Sequence, residues 1–133
     1  MPLVSIVPLT KEIEDVLADR IGELRNRIKN TICHISGFPR DDVIVNLMHC
    51  PYRNADPASV DFILYADTCP HEELEAKANK LCAAIGMVLA DMGLTSGQGA
   101  EVWPRFLPGP WCLVKGRQIV DRVSHPRDKP WAS

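Results

Sequence analysis

The spacing of apolar residues changes period several times along the chain, and each change marks an element. Leu3 to Val7 is a short β-branched run closed by Pro8, which cannot continue a ladder in mid-sheet, so the chain opens with a strand beginning at residue 2 or 3. From Thr10 the spacing becomes helical, with Ile13, Val16, Leu17, Ile21, Leu24, Ile28, Ile32 and Ile35 stepping by threes and fours along one face. Thr10 is a natural N-cap, Glu12 and Glu14 suit the positive end of the dipole, and Ser36-Gly37 ahead of Phe38-Pro39 supplies the stop. One helix over about 11–36 is predicted. Val43 to Met48, bounded by Asp41-Asp42 and Cys50-Pro51, has the continuous apolar character of a buried strand.

A loop rich in Pro, Asn and Asp over 51–59 returns the chain to a third strand, Val60 to Ala66. The second helix follows, with Pro70 near its first position, Glu72 and Glu73 in its first turn, and an apolar stripe of Leu74, Ala78, Leu81, Ile85, Val88 and Met92 that ends at Gly93. Glu73 and Lys77 read as a solvated face, and Gly97-Gln98-Gly99 as a loop. A fourth strand is expected at Glu101 to Leu107, confined by Pro104 to an edge or an irregular pairing. A hairpin closes the pattern, Trp111 to Val114 and Gln118 to Val123 around Lys115-Gly116-Arg117.

The order β-α-β-β-α-β makes this an α/β (α+β) chain built from two pseudo-repeated β-α-β units. Each crossover implies a right-handed parallel strand pair, giving a four-stranded mixed sheet with two helices on one face. The repeat rests on element order, since the halves share no convincing residue identity. The other sheet face needs partners to cover it, so an oligomer is expected.

At 133 residues, 46% hydrophobic and 24% charged, the chain fits one folded domain over 1–133 and excludes disordered and low-complexity classes. A net charge of −2 gives no bulk field for a polyanion, so nucleic acid is not an expected partner. Apolar stretches fall well short of the roughly 20 residues of a membrane helix, and no charged-then-apolar leader opens the chain; a cytoplasmic protein without membrane contact is expected. Five cysteines, Cys33, Cys50, Cys69, Cys82 and Cys112, are odd in number and lack any C-x-x-C, so they read as reduced thiols rather than disulfides or metal ligands. Serine-histidine-acid spacing, a Gly-rich phosphate loop and H-E-x-x-H are all missing, and His34 and His49 read as structural.

Pro2 carries the candidate chemistry. Once Met1 is removed, its nitrogen is a secondary amine. Held by a strand in an apolar setting, its ammonium form is disfavoured, which makes a usable general base; with Met1 attached it is an amide without basicity. Pro2-Leu-Val-Ser-Ile-Val, the long helix, and Ser36-Gly-Phe-Pro-Arg-Asp-Asp-Val-Ile-Val45 resemble the start of a tautomerase superfamily subunit. Ala100-Glu-Val-Trp-Pro-Arg-Phe106 resembles the longer members, of the migration inhibitory factor and 5-carboxymethyl-2-hydroxymuconate isomerase type. The resemblance covers about 1–107 and leaves 108–133 as a C-terminal extension.

That resemblance implies a homotrimer in which the amino-terminal proline moves a proton on a small enol or unsaturated keto acid, without metal or cofactor. Pro2 matches the catalytic proline. Lys11 falls near the helix-start position of a substrate-binding arginine, Arg40 lies four residues before Ile44, which stands where a second arginine is found, and Trp103 and Arg105 align with residues lining the proline pocket. Arg105 is expected to hold the substrate carboxylate and Trp103 to exclude water. The competing reading is a non-catalytic oligomeric binding module of tautomerase-like or ferredoxin-like fold, since both folds use this element order.

Overall fold

The first apolar run forms β1, Leu3–Pro8, and it sits at the centre of the architecture. β1 pairs in parallel with β2, Ile44–Leu47, and antiparallel with β3, Phe62–Thr68; β3 pairs in parallel with β4, Ala100–Phe106. The sheet order is β2-β1-β3-β4, the mixed four-stranded sheet that two crossovers require. Pro104 lies in β4, an edge strand, where a residue without an N–H is best tolerated. This computed structural model describes residues 2–53, 59–68, 76–106 and 112–121.

The period of two sorts the side chains. Val4 and Ile6 of β1, Val45 of β2, and Phe62 and Leu64 of β3 are buried on one face. Leu3, Ile44 and Trp103 stand on the other and are 36%, 41% and 52% exposed. The described helices all pack on the first face. The predicted helix over 11–36 is two: α1, Lys11–Asp19, and α2, Ile21–Ser36. The break is at Arg20, whose amide turns back three residues to the Leu17 carbonyl (3.1 Å), while its guanidinium donates to the Met92 carbonyl (3.0 Å). A long-range contact thus overrides a continuous helical pattern. Leu17 of α1 and Leu24, Ile28, Ile32 and Ile35 of α2 all still reach the core. Thr10 caps α1 through its side chain, and Gly37 ends α2 with φ of 77°.

α3, Ala78–Asp91, packs beside α2 and buries Leu81, Ile85, Val88 and Leu89. Arg27 meets Asp91 at 3.5 Å, so the two helices run antiparallel with the start of α2 beside the end of α3. Pro70, Glu72 and Glu73, expected in the first turn of this helix, lie outside the described residues. The tail forms the two-stranded hairpin of β5, Cys112–Lys115, and β6, Gln118–Asp121, turning at Gly116.

Candidate active site

Pro2 is buried one residue ahead of β1, and its carbonyl accepts a hydrogen bond from the Ile44 amide (3.0 Å), which fixes the chain entry against β2. It opens onto a small, mostly apolar recess with a cavity volume of about 10 Å³. Ala66, Asp67 and Thr68 at the end of β3 form one wall; Ile32 and Ser36 of α2, with Phe38 and Leu81, form the other. Ser36 is internally satisfied, its hydroxyl donating to the Ile32 carbonyl (2.6 Å) and accepting from the Phe38 amide (3.2 Å). Thr68 is 4% exposed and its hydroxyl has no hydrogen-bond partner among the described residues.

Arg105 is at the same end of the sheet, since Leu3, Asp67 and Arg105 form one rung across β1, β3 and β4. Its side chain projects from the face opposite the buried positions of β4. There Nε and Nη2 donate to the two carboxylate oxygens of Asp67 at 2.6 and 2.8 Å, and the guanidinium lies 4.0 Å over the Tyr65 ring. Asp67 is 7% exposed, and its hydrogen bonds hold the Arg105 proton more firmly than usual. The guanidinium is therefore already paired, with Nη1 left over for a further anion among the described contacts. Trp103 projects from the same face, two residues away, and its indole donates to Glu101 (2.9 Å).

The remaining candidates divide between the two ends of the sheet. Arg40, in a single 3-10 turn (Arg40–Asp42) just before β2, is at the Pro2 end, where it donates to Asn30 (2.9 Å) and Asn26. Lys11 starts α1 beyond the far end of β1, about 20 Å of strand away from Pro2 within the subunit, and pairs with Glu14 (2.9 Å) and Asp15 (3.2 Å). The structure thus brings Pro2, Arg40 and Arg105 to one end and leaves Lys11 at the other.

Sequence reasoning missed the centre of that far end, where Glu14, only 7% exposed, accepts from the Cys50 amide, from Lys11, and meets His49 Nδ1 at 3.2 Å. The Cys50 amide first, then Lys11 and His49, hold the Glu14 carboxyl down at about 2. A helical wheel showed Glu14 as a first-turn acid suited to the dipole; nothing local announced that a loop 36 residues later would fold over it. His49 itself is fully open to solvent, and burial pushes the Cys82 thiol up, opposite to an activated nucleophile.

No protein-family model and no curated protein matches the sequence. Solved structures do match by shape. The chain is similar to a fused 4-OT described as an asymmetric trimer (14% identity, 87% of this chain and 94% of that one, TM-score 0.58). It is also similar to Pt0534 inactivated by 2-oxo-3-pentynoate (20% identity, 93% and 98%, TM-score 0.57). A third is a macrophage migration inhibitory factor-like protein of Entamoeba histolytica (13% identity, 81% and 88%, TM-score 0.50). With its β2-β1-β3-β4 sheet, its two parallel crossovers and Pro2 leading the central strand, the chain has the tautomerase superfamily fold.

Proposed function

We propose that the protein is a tautomerase or isomerase that uses the Pro2 amine, after removal of Met1, to move a proton on a small enol or unsaturated keto acid. The observation that carries the reading is the burial of Pro2 at the head of the central strand, facing an apolar recess at one end of the sheet. A neutral secondary amine there takes the proton from the enol oxygen and returns it to carbon, so no proton is gained or lost overall. Arg105 and Trp103 stand on the helix-free face and meet the Pro2 side only at the end of the sheet; there Arg105, through the Nη1 group that Asp67 leaves unengaged, is the proposed anchor for the carboxylate, Arg40 the second cation at that end, and Trp103 the group that excludes water. Lys11 serves this site from a neighbouring copy, because within one subunit it is at the wrong end of the strand.

The assembly proposed is a homotrimer, working in the cytoplasm on a small carboxylic acid and needing neither metal nor cofactor. Leu3, Ile44 and Trp103 on the helix-free sheet face support it, since an apolar sheet surface of this kind gains by contact with other copies. None of the described helices is long and apolar enough to cross a membrane.

The test is enol-to-keto conversion of phenylpyruvate or 2-hydroxymuconate by protein whose N-terminus is verified by mass. 2-Oxo-3-pentynoate serves as a second probe, because it inactivated the similar Pt0534. Activity and a covalent adduct at Pro2 support the reading. Neither on Met1-free protein, despite a trimeric sedimentation mass, leaves the oligomeric binding module, a reading favoured by the pairing of Arg105 with Asp67.

A further inference from the structure

Thr68 presents an anomaly that the proton-transfer reading does not by itself explain. Its hydroxyl is buried and, among the described residues, without a hydrogen-bond partner, whereas Ser36, across the same recess, bonds to backbone on both sides. Buried hydroxyls are nearly always paired, and leaving one unpaired destabilises the fold. The sheet register shows where the missing partner belongs. Leu3 pairs with Asp67 in the antiparallel ladder of β1 and β3, so the next step outward sets Pro2 against Thr68, and both line the one recess.

We propose that the Thr68 hydroxyl is the hydrogen-bond partner of the Pro2 amine, positioning its lone pair towards the recess. The inference rests on the reading that Met1 is removed, because an amide nitrogen at Pro2 has nothing to offer the hydroxyl. Threonine can fill both halves of this role. Its oxygen accepts one N–H of the ammonium and the remaining N–H of the neutral secondary amine, so the contact survives the whole proton cycle and leaves the lone pair free. The contact is stronger to the ammonium form, because hydrogen bonds to charged groups are the stronger ones. Among the described recess residues Asp67 is the sole ionisable side chain, and its carboxylate is held by Arg105 on the other face, so Thr68 is the neutral polar side chain of the recess left without a partner.

The experiment follows the Pro2 nitrogen directly, by NMR titration of Met1-free protein labelled with ¹⁵N-proline, in the parent, in Thr68→Val and in Thr68→Ser. Valine keeps the shape and deletes the hydroxyl. The expected result is a titration about half to one pH unit lower in Thr68→Val, restored in Thr68→Ser. Thermal unfolding of Met1-retaining protein should show Thr68→Val no less stable than the parent, since there the hydroxyl is unpaired. An unchanged Pro2 titration in folded Thr68→Val overturns the proposal, as does a loss of stability in Met1-retaining Thr68→Val or a Thr68→Ser that titrates like valine. The titration reads the contact whether or not an enol acid is turned over. A shifted titration in a protein with no activity therefore sinks the catalytic reading and leaves this one standing.

Discussion

Asp67 and Arg105 face each other at one register position of β3 and β4, joined by two hydrogen bonds of 2.6 and 2.8 Å with the carboxylate buried. The geometry is the bidentate fork that makes arginine the usual partner of a carboxylate. A substrate carboxylate at this guanidinium therefore either shares it with Asp67 or competes with it, and the strength of the pair sets the affinity for the anion.

Removing either partner should have opposite consequences for the fold and for anion binding. Arg105→Ala strands a buried carboxylate and should cost about 1 kcal/mol of stability, the lower end for an unpaired group because the arginine is half exposed. Asp67→Asn keeps one hydrogen bond and releases the charge, so the Michaelis constant for an anionic substrate should fall several-fold with little change in turnover. Denaturant midpoints and steady-state kinetics on both variants check this. A rise in the constant for Asp67→Asn would mean that Asp67 positions the guanidinium for the anion instead of competing with it.

Turnover should depend on an unblocked Pro2. Pro2→Ala leaves a primary amine of different basicity and freedom, and loss of a placed general base costs about 10²-fold or more. Protein retaining Met1 should be inactive. Undiminished activity of the Met1-retaining form on phenylpyruvate would exclude the proline mechanism.

The elements that sequence revealed are those whose pattern is local: the period of two in Leu3 to Val7, the three-and-four spacing of Leu24, Ile28, Ile32 and Ile35, the Gly37 stop, and the edge position of Pro104. What it hid depends on contacts between distant segments. Arg20 breaks the first helix beside the Met92 carbonyl, 72 residues away, and Glu14 is buried by Cys50, 36 residues away. At the candidate site, Pro2 was legible from its place ahead of a strand. The pairing of Arg105 was not, because Asp67 ended up opposite it only through a register that the third strand reached two residues later than its apolar run suggested, at Phe62–Thr68.

Gly97 should resist substitution. A Cβ added there would lie 2.6 Å from an Asp61 carboxylate oxygen, and that same oxygen accepts from the Gln98 amide at 3.1 Å. Moving the carboxylate relieves the overlap only by breaking the bond that shapes the entry to β4. Gly97→Ala should therefore cost about 0.5–1 kcal/mol, the worth of that exposed bond, and Asp61→Ala should recover part of that loss in the double variant. Additive losses in a double-mutant cycle would separate the two residues.

Acid should unfold the protein partly through Glu14. Its carboxyl is held down at about 2, against an ordinary value of 4.5, chiefly by the Cys50 amide and then by Lys11 and His49. A carboxyl that takes up its proton less readily when folded favours the fold while it is ionised. The contribution is therefore fully present above about pH 4.5, declines as the pH falls, and is gone below about 2. Glu14→Gln cannot ionise and lacks an oxygen for one of its three partners, so it should be less stable than the parent at neutral pH. The difference should close as pH falls through that window, because the parent loses its ionised acceptor while the variant has none to lose. Urea midpoints of both proteins, measured from neutral pH down to about 2.5, trace the two curves. Curves that stay parallel would assign the acid sensitivity to other carboxylates and reduce Glu14 to a neutral spacer beneath the loop at Cys50.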